Sequence, residues 1–360
     1  MKLVSMIALV AMGCGVAHAQ TSLPPGVPLP GGLVLGAPVG VTVVPPPPAN
    51  FNPLTASAEA RAQYAIPPAP DAAAAPKAYG EWLKAVVIPP TSGTPVLTQT
   101  NITHGPAQNV RNSEITEGTV KSTSNNWSGT AFTSTTKTPP FQLEAIVGEF
   151  VVPTARQAIG ECNGGWDYSS QWPGIDGYSS NDVLQAGVEA DAYCSGGVTS
   201  SYYSAWIEWY PYSSTDVSSP AVNPGDLIFI EVWSTSPTTG YATIANLSTN
   251  TSATYALTAP PGTTLVGNSI EWIVERPGVN GTLATLTNYI DVPWPTGYAW
   301  NYTAKRPTYY YEGKPSTGTF HEITMLDNNG DPISAATIEN TDFLWFLDSG
   351  SACGISSVPC

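Results

Sequence analysis

The chain has 360 residues, of which only 11% are charged, and its 27 Asp+Glu against 12 Lys+Arg give a formal net charge of −15. This balance excludes a basic nucleic-acid binder that works by neutralising phosphates, and 42% hydrophobic residues exclude wholesale disorder. The length predicts about two domains. The many Gly (33) and Pro (35), together with few helix-like patterns, predict an all-β protein with an irregular leader.

Residues 1–19 have the pattern of a secretory signal peptide. Lys2 supplies the positive start, Leu3–Val16 is largely apolar, and Ala17-His18-Ala19 is a small-x-small cleavage pattern. The apolar run is too short to span a bilayer, so we expect a secreted, extracellular protein without a membrane partner. Lipoprotein anchoring through Cys14 is the alternative, but the residues before it match the leucine-led lipoprotein box poorly.

Four cysteines remain once the signal is removed. An even number in a secreted chain predicts two disulfide bonds, for which three pairings are possible. We favour Cys162–Cys194 and Cys353–Cys360 because each pair is nearest in sequence. No metal site is expected, because the chain has three histidines and no Cys-x-x-Cys pair.

Residues 20–121 differ in composition from the rest of the chain. They hold 18 of the 35 prolines but only one of the 11 tryptophans, a composition that does not support a dense core. We expect a largely irregular segment with short helices near Ala56–Tyr64 and Ala78–Val87. It is either a disordered spacer or, as we favour, a pro-segment removed on activation. Its cations are expected to pair with an acidic cleft: Arg61, Lys77, Lys84, Arg111 and Lys121.

The region 122–360 is rich in aromatic and β-branched residues and is predicted to form one domain. Short alternating runs recur between turn signals, which is typical of a sandwich or a barrel. The predicted strands include Ala145–Val152, Asp182–Val188, Ser204–Tyr210, Leu227–Trp233, Tyr241–Leu247, Ser269–Glu275 and Phe343–Leu347.

Several catalytic chemistries are excluded in this region. His321 is the only histidine of this region. No Gly-x-Ser-x-Gly motif of a serine hydrolase is present, and no second histidine follows His321 at the spacing of a zincin metalloprotease. All four cysteines of the mature chain are expected to be paired. Carboxylates, amides and aromatic side chains remain as the candidates for chemistry.

Three predicted strands place such groups on one face. Period-two alternation puts Glu271 and Glu275 together, Trp206 with Glu208, and Gln185 on the face opposite its apolar neighbours. A single polar residue of this kind is most often part of a solvated face. Three strands that each mix polar and aromatic groups predict a cleft for an extended polymer.

The same stretches carry a series of ordered motifs. The region from about 122 to 348 resembles the glutamic peptidases, the pepstatin-insensitive acid endopeptidases called eqolisins. The matching motifs are Ser124-Asn125-Asn126-Trp127-Ser128-Gly129, Phe150-Val151-Val152-Pro153, Trp172-Pro173-Gly174-Ile175-Asp176-Gly177, Leu184-Gln185-Ala186-Gly187, Ala205-Trp206-Ile207-Glu208-Trp209-Tyr210-Pro211, Pro224-Gly225-Asp226, Asn246-Leu247-Ser248 and Glu271-Trp272-Ile273-Val274-Glu275.

The resemblance implies a sandwich of two large antiparallel sheets (concanavalin- or jelly-roll-like), with a catalytic pair, Gln185 and Glu275, on the concave face of one sheet. The residues that it implies as lining or supporting the site are Trp127, Trp172, Asp176, Trp206 and Glu208. Family members often carry a cysteine where this chain has 179–181, so their disulfide pattern is not carried over.

The expected function is a secreted acid endopeptidase made as a proenzyme. Glu275 would take a proton from an attacking water while Gln185 stabilises the oxyanion, with no cofactor or metal. We expect a monomer with polypeptide substrates and no nucleic-acid partner. The alternatives are a jelly-roll glycosidase and a non-catalytic carbohydrate-binding sandwich. The first requires carboxylates about 5 Å apart, whereas Glu271 and Glu275 lie about 13 Å apart along an extended strand.

Overall fold

The protein was analysed as a computed structural model, which describes residues 23–31, 37–116, 119–134, 145–158, 162, 164–301, 308–310, 318–340 and 344–350. The expected signal peptide, the expected bond Cys353–Cys360 and most of the tyrosine-rich stretch Tyr302–Tyr311 lie outside these residues.

The described residues form two helices and a large number of strands. The helices are α1 (Ala58–Ala62) and α2 (Pro76–Val87). The strands are β1 (Val41–Val43), β2 (Leu97–Gln99), β3 (Ile102–Thr103), β4 (Arg111–Thr116), β5 (Thr119–Ser124), β6 (Trp127–Ser134), β7 (Ala145–Val151), β8 (Trp166–Asp167), β9 (Ser170–Ile175), β10 (Val183–Ser195), β11 (Val198–Tyr210), β12 (Thr215–Val217), β13 (Leu227–Ser236), β14 (Thr239–Asn246), β15 (Thr251–Thr258), β16 (Ser269–Glu275), β17 (Gly278–Val279), β18 (Thr282–Leu283), β19 (Ile290–Asn301), β20 (Thr308–Tyr310), β21 (Gly318–Leu326), β22 (Pro332–Asn340) and β23 (Leu344–Gly350).

The strands build two facing layers. The first layer runs in the order β4, β5, β21, β6, β16, β9, β10, β11, β12 and β2. The second runs β22, β23, β19, β7, β13, β14, β15 and β1. The layers join at one edge, where β22 also pairs with the end of β21. The layer pairings are antiparallel except for β5 with β21, so the predicted antiparallel sandwich is confirmed with one parallel exception.

The main core lies between the two layers. It is filled by side chains such as Leu184, Ile207 and Trp272 from the first layer and Ile230 from the second. Trp272 also donates its indole N–H to the carbonyl oxygen of Val147, 2.7 Å away on β7. This hydrogen bond satisfies the one polar atom of a fully buried ring and links the layers directly.

The predicted strands are confirmed over the residues that the structure describes, and the alternation in β16 is as expected. β16 has the predicted bounds, and Trp272 and Val274 lie in the main core whereas Ile273 belongs to a second cluster on the opposite face. The predicted bond Cys162–Cys194 is present. It ties the end of β10 to the loop before β8.

The proline-rich region is spread over both layers. Its strands β1 and β2 pair with β15 and β12, and α2 packs against the outer face of the second layer. There Ala78 and Ala85 contact a cluster that contains Phe229 and Trp300, and Lys84 pairs with Glu149, 3.3 Å away. Both helices lie at the expected places, although the segment carries more ordered contacts than its composition indicates.

Candidate active site

The first layer has a polar face that points away from the second layer, here called the site face. Val183, Trp206, Ile273 and the aromatic rings of Trp127 and Trp172 form its apolar part. The three strands predicted to share a polar face are brought together here. β9 lies between β16 and β10, and β11 is the next strand after β10.

The register of these strands arranges the candidate residues in rows. Gln185 lies opposite Gly174 of β9 and opposite Glu208 of β11. Glu275 lies opposite Ser170 of β9, which also faces Glu189 of β10. Gln185 and Glu275 are therefore at diagonal corners of a patch of three strands, β10, β9 and β16, and they flank β9.

Glu275 lies in a pocket of hydrogen-bond donors. Asn126 donates its amide N–H to Oε1 at 3.1 Å, and Trp172 donates its indole N–H to Oε2 at 2.9 Å. The side chain is fully buried, and burial raises the pKa of Glu275 well above its usual value, whereas the two donors act in the opposite direction. Burial therefore favours the neutral form of Glu275.

Gln185 makes one hydrogen bond among the described residues. Its Nε2 donates to the backbone carbonyl oxygen of His104 at 2.5 Å, and no described group bonds its Oε1. The amide is fully buried. The Nε2 end of the amide therefore binds a peptide carbonyl, while the Oε1 end can still accept a hydrogen bond.

His104 is the largest addition to the site that sequence reasoning missed. Its ring lies between two carboxylates, with Nδ1 2.7 Å from Glu208 Oε2 and Nε2 2.5 Å from Glu189 Oε1, and it stacks on Trp206. The backbone N–H of His104 also donates to Glu208 at 3.0 Å. Burial lowers the pKa of His104, raises that of Glu208 to about 7 and raises that of Glu189 to about 8.

The residues after His104 continue across the site face, with bends at Pro106 and Asn109. Trp127 donates its indole N–H to the carbonyl of Gly105 at 3.1 Å. The N–H of Ala107 donates to Gly177 at 3.1 Å, and that of Gln108 donates to Asn126 at 2.8 Å. A peptide held by main-chain hydrogen bonds on an open sheet face resembles a bound polypeptide more than a spacer.

The cations of the proline-rich region do not act as expected. Lys84 pairs with Glu149 on the second layer, and Lys121 pairs with Glu322. The acidic site face instead receives an imidazole that lies flat against an indole. A buried lysine would cost more than a histidine here, because histidine can enter the pocket as the neutral ring.

Asp176 supports the site without facing the bound segment. Its backbone has a φ of +69°, and its carboxylate accepts the backbone N–H groups of Val266, Gly267 and Asn268 at 2.6 to 3.0 Å. Burial raises its pKa to about 6. Both oxygens thus hold the loop that leads into β16, and Asp176 orients the strand that carries Glu275.

Glu189 and Asn126 were also missed as site residues. Glu189 is at the end of a predicted strand and has the parity of Gln185, so strand alternation was the available signal. Asn126 lies in the opening motif. In the part of the chain that the structure describes, no group of three or more His, Cys, Asp or Glu side chains could hold a metal ion, and no helix is long and apolar enough to cross a membrane.

Glu271 lies on the site face but in a different setting from Glu275. It is in the row of Gln185, on the other side of Gly174, and its Oε1 accepts the N–H of Tyr178 at 3.3 Å. No described group donates to its Oε2. Burial raises its pKa well above the usual value.

Comparison with known proteins identifies relatives for part of the chain. Aspergillopepsin-2 of Aspergillus niger is 33% identical over 168 residues, which cover 42% of this chain and 56% of that protein. Scytalidopepsin B of Scytalidium lignicola is 33% identical over 132 residues, covering 36% of this chain and 48% of that protein. The chain thus spans about half the length of these relatives.

Solved structures that align with this chain include a scytalido-glutamic peptidase with a transition state analog inhibitor. It is 22% identical, covers 63% of this chain and 98% of its own, and has a TM-score of 0.48. Aspergilloglutamic peptidase from Aspergillus niger is 25% identical over 51% of this chain and 99% of its own, with a TM-score of 0.42. The model of the Peptidase A4 family matches residues 125–343, more than half of the sequence, and the chain therefore belongs to this family, the glutamic peptidases.

Proposed function

We propose that this protein is a secreted acid endopeptidase, made as a proenzyme, that hydrolyses peptide bonds by direct attack of water with the help of Gln185 and Glu275. One observation carries the proposal: a peptide carbonyl, that of His104, accepts a hydrogen bond from Gln185 Nε2 at 2.5 Å. A fixed donor on the carbonyl oxygen is what stabilisation of an oxyanion requires.

Gln185 acts as the oxyanion donor. Its amide does not titrate, so the N–H remains a donor in acid, where a histidine base would be protonated. Its Oε1 lies on the same side chain and can accept a hydrogen bond from the attacking water. The fully buried position keeps both functions in a region of low dielectric, which strengthens them.

Glu275 acts as the general base and then as the general acid. Its carboxylate takes a proton from water as the water attacks the carbonyl carbon, and the resulting acid donates this proton to the leaving nitrogen. While residues 104–108, the covering segment, lie on the site face, burial favours the neutral form of Glu275. Displacement of the covering segment admits water and lowers the pKa toward the reference value of about 4.3, and the N–H groups of Asn126 and Trp172 then stabilise the carboxylate.

The remaining predicted residues position these two. Trp127 and Trp172 meet edge to face, with ring centroids 5.0 Å apart, and each donates an indole N–H into the site. Trp206 and Glu208 bind the side chain of the covering peptide. Asp176 fixes the loop before the strand of Glu275.

The proenzyme part of the proposal divides the chain into a signal peptide (1–19), a pro-segment (20–121) and a catalytic domain (122–360). It is supported by the position of residues 104–108 across the site face, where a substrate would bind. The enzyme would act on polypeptides as a monomer without a cofactor.

The test is acid proteolysis by the whole chain and by matched variants. The protein is incubated with an unfolded protein substrate at pH about 3 with pepstatin present. Gln185→Ala and Glu275→Gln are expected to lose at least about a hundredfold in kcat. Glu271→Gln, which changes a carboxyl on the same strand and face, is the matched control and is expected to keep its activity.

Two results would overturn the assignment. Activity lost in Glu271→Gln and kept in Glu275→Gln would move the general base to the other carboxyl. No cleavage by any form that is folded by circular dichroism would remove the peptidase proposal altogether.

A further inference from the structure

The geometry points to a self-cleavage site and a specificity pocket, and this inference rests on the proposed peptidase function. We infer that the enzyme cleaves its own chain between His104 and Gly105, and that Glu189, Glu208 and Trp206 form a pocket that selects an imidazole side chain on the N-terminal side of the scissile bond.

The first observation is which carbonyl the amide of Gln185 holds. Among the described residues Gln185 Nε2 donates only to the oxygen of His104. The next carbonyl, that of Gly105, is held by Trp127 at 3.1 Å and by Asn126 at 3.4 Å. The same Asn126 amide donates to Glu275 at 3.1 Å. The peptide bond between His104 and Gly105 therefore lies between the oxyanion donor and the group bonded to Glu275.

The second observation is how closely the pocket fits the side chain of His104. Each ring nitrogen has its own carboxylate, at 2.7 Å for Glu208 and 2.5 Å for Glu189. One face of the ring lies on Trp206, with planes 7° apart and centroids 3.7 Å apart, and the residue is 0% exposed. The pocket is thus closed around a flat ring with two opposed polar atoms.

This chemistry distinguishes imidazole from the other side chains of similar size. Leucine or phenylalanine would fill the space but would offer no polar side-chain atom to the two buried carboxyls, which is costly. Lysine carries a single nitrogen, which cannot bond both carboxylates because they lie on opposite sides of the pocket. Histidine satisfies both, and it does so in the neutral or the charged form.

The residue after the bond is also restricted. A Cβ atom at Gly105 would be 3.3 Å from the ring of Tyr210, closer than most contacts of this kind. The position therefore favours a small residue. The pair His104-Gly105 matches the site on both sides of the bond.

The fold supports a cut at this place rather than at the composition boundary near residue 122. Strand β5 (Thr119–Ser124) is paired on both sides, with β4 and with β21. A cut within it would divide a strand that is paired on both sides, whereas a cut after His104 leaves β4 and β5 attached to the catalytic domain and separates the edge strands β1 and β2. The mature chain would then begin at Gly105.

The reaction is a plain hydrolysis. The oxygen of a water molecule bonds to the carbonyl carbon of His104 while Glu275 takes a proton from that water. The bond from this carbon to the nitrogen of Gly105 then breaks, and the nitrogen receives the proton from Glu275. The products are a carboxyl group at His104 and an amine at Gly105, and no other reactant is consumed.

The test combines the full chain with two peptides. The purified full-length protein is brought to pH about 3, and the products are identified by mass spectrometry. We expect a new N-terminus at Gly105, its absence in Glu275→Gln, and slower processing in His104→Leu. In trans, a peptide with the sequence of residues 101–108 should be cleaved at least about tenfold faster than the same peptide with leucine at the histidine position.

A substitution of the pocket residue Glu208 tests whether the pocket selects the imidazole side chain. Glu208→Gln is expected to reduce the ratio of kcat/KM between the histidine and the leucine peptides at least about threefold. Glu322→Gln, on β21 of the same layer, away from the pocket and paired with Lys121, leaves the ratio unchanged. A ratio that stays the same in both variants would overturn the assignment of the pocket.

The two proposals fail in different ways. Cleavage of unfolded protein that depends on Glu275, combined with a new N-terminus elsewhere and equal rates for the two peptides, would overturn this inference and leave the peptidase intact. Absence of any cleavage of unfolded protein would overturn both.

Discussion

The imidazole of His104 lies flat on the indole of Trp206, with ring planes 7° apart and centroids 3.7 Å apart. His104 precedes residues 125–343, the part that matches the family model, whereas Trp206 is within one of its most distinctive motifs. This contact therefore joins the N-terminal region of the chain to the site face, and it accounts for the complete burial of a titratable ring.

Loss of this ring should loosen the covering segment. In a Glu275→Gln background, which stops self-cleavage, His104→Ala removes the ring that bonds the buried Glu189 and Glu208, and Glu208 keeps the backbone N–H of residue 104. We expect a loss of about 3 kcal/mol in the free energy of unfolding and faster tryptic cleavage within residues 77–111 at neutral pH. His321→Ala, at a histidine that contacts Tyr178 and not the segment, is the control. Equal trypsin sensitivity in the two variants would argue against a covering role for His104.

The stability of the full chain should fall as the pH rises. Burial raises the pKa of Asp176 and Asp348 to about 6, of Asp216 to about 7 and of Glu149 to about 8. Each of these carboxyls binds its proton more tightly in the folded chain than in the unfolded chain. Their contribution is therefore fully present below pH about 4 and is lost as the pH rises through 6 to 8.

The measurement is the thermal midpoint of the Glu275→Gln full chain between pH 3 and 8. We expect the midpoint to be at least about 10 °C higher at pH 4 than at pH 8, and the fold to remain intact near pH 3. Asp348→Asn removes one of the titrating groups and should flatten the curve. A midpoint that rises from pH 4 to pH 8 would contradict the predicted sign.

Gly187 should not tolerate a side chain. A Cβ atom there would be 2.6 Å from the carbonyl oxygen of Gln171 and 2.6 Å from the ring of Trp206. We expect Gly187→Ala to lose about 1–3 kcal/mol and to reduce activity, because the displaced indole lines the pocket. Gly80 in α2 has no atom within 4 Å of the corresponding position, so Gly80→Ala should be neutral or gain up to about 1 kcal/mol. Chemical denaturation of both variants compares them directly, and similar midpoints would show that the space at Gly187 is not needed.

The bond between Cys162 and Cys194 closes a loop with a sequence separation of 32 residues. Replacing both cysteines by serine should cost about 3–4 kcal/mol, because the unfolded chain gains the freedom that the bond removed. Thermal unfolding with and without reductant checks this. Reductant should lower the midpoint of the parent protein to near that of the double variant, and a parent protein insensitive to reductant would contradict the prediction.

Much of the site face could be predicted from local patterns. Alternation in Ser269–Glu275 placed Glu275 opposite the core residue Trp272, and the same argument applied to Gln185 and Glu208. These assignments depend only on the period of a strand, which is a property of the backbone. The bounds of β16 followed in the same way. The pairing of Cys162 with Cys194 followed from their nearness in sequence.

His104 could not be placed by such reasoning. It is in a proline-rich segment of low aromatic content, and nothing in its neighbours indicates that it binds Glu189 and Glu208, which follow it by 85 and 104 residues. The expected role of the lysines was wrong for a related reason: charge alone does not show which cation a buried pocket can accommodate.

The sequence by itself determined which side chains share a face of each strand and which chemistries the catalytic region can support, since both depend on residue type and on a backbone period of two. Only the tertiary structure decided that β9 lies between the strands of Gln185 and Glu275, and that His104 presents its carbonyl to Gln185. The physical reason is that strand order and segment docking are set by packing between residues far apart in the chain, and burial then decides which polar groups must find partners.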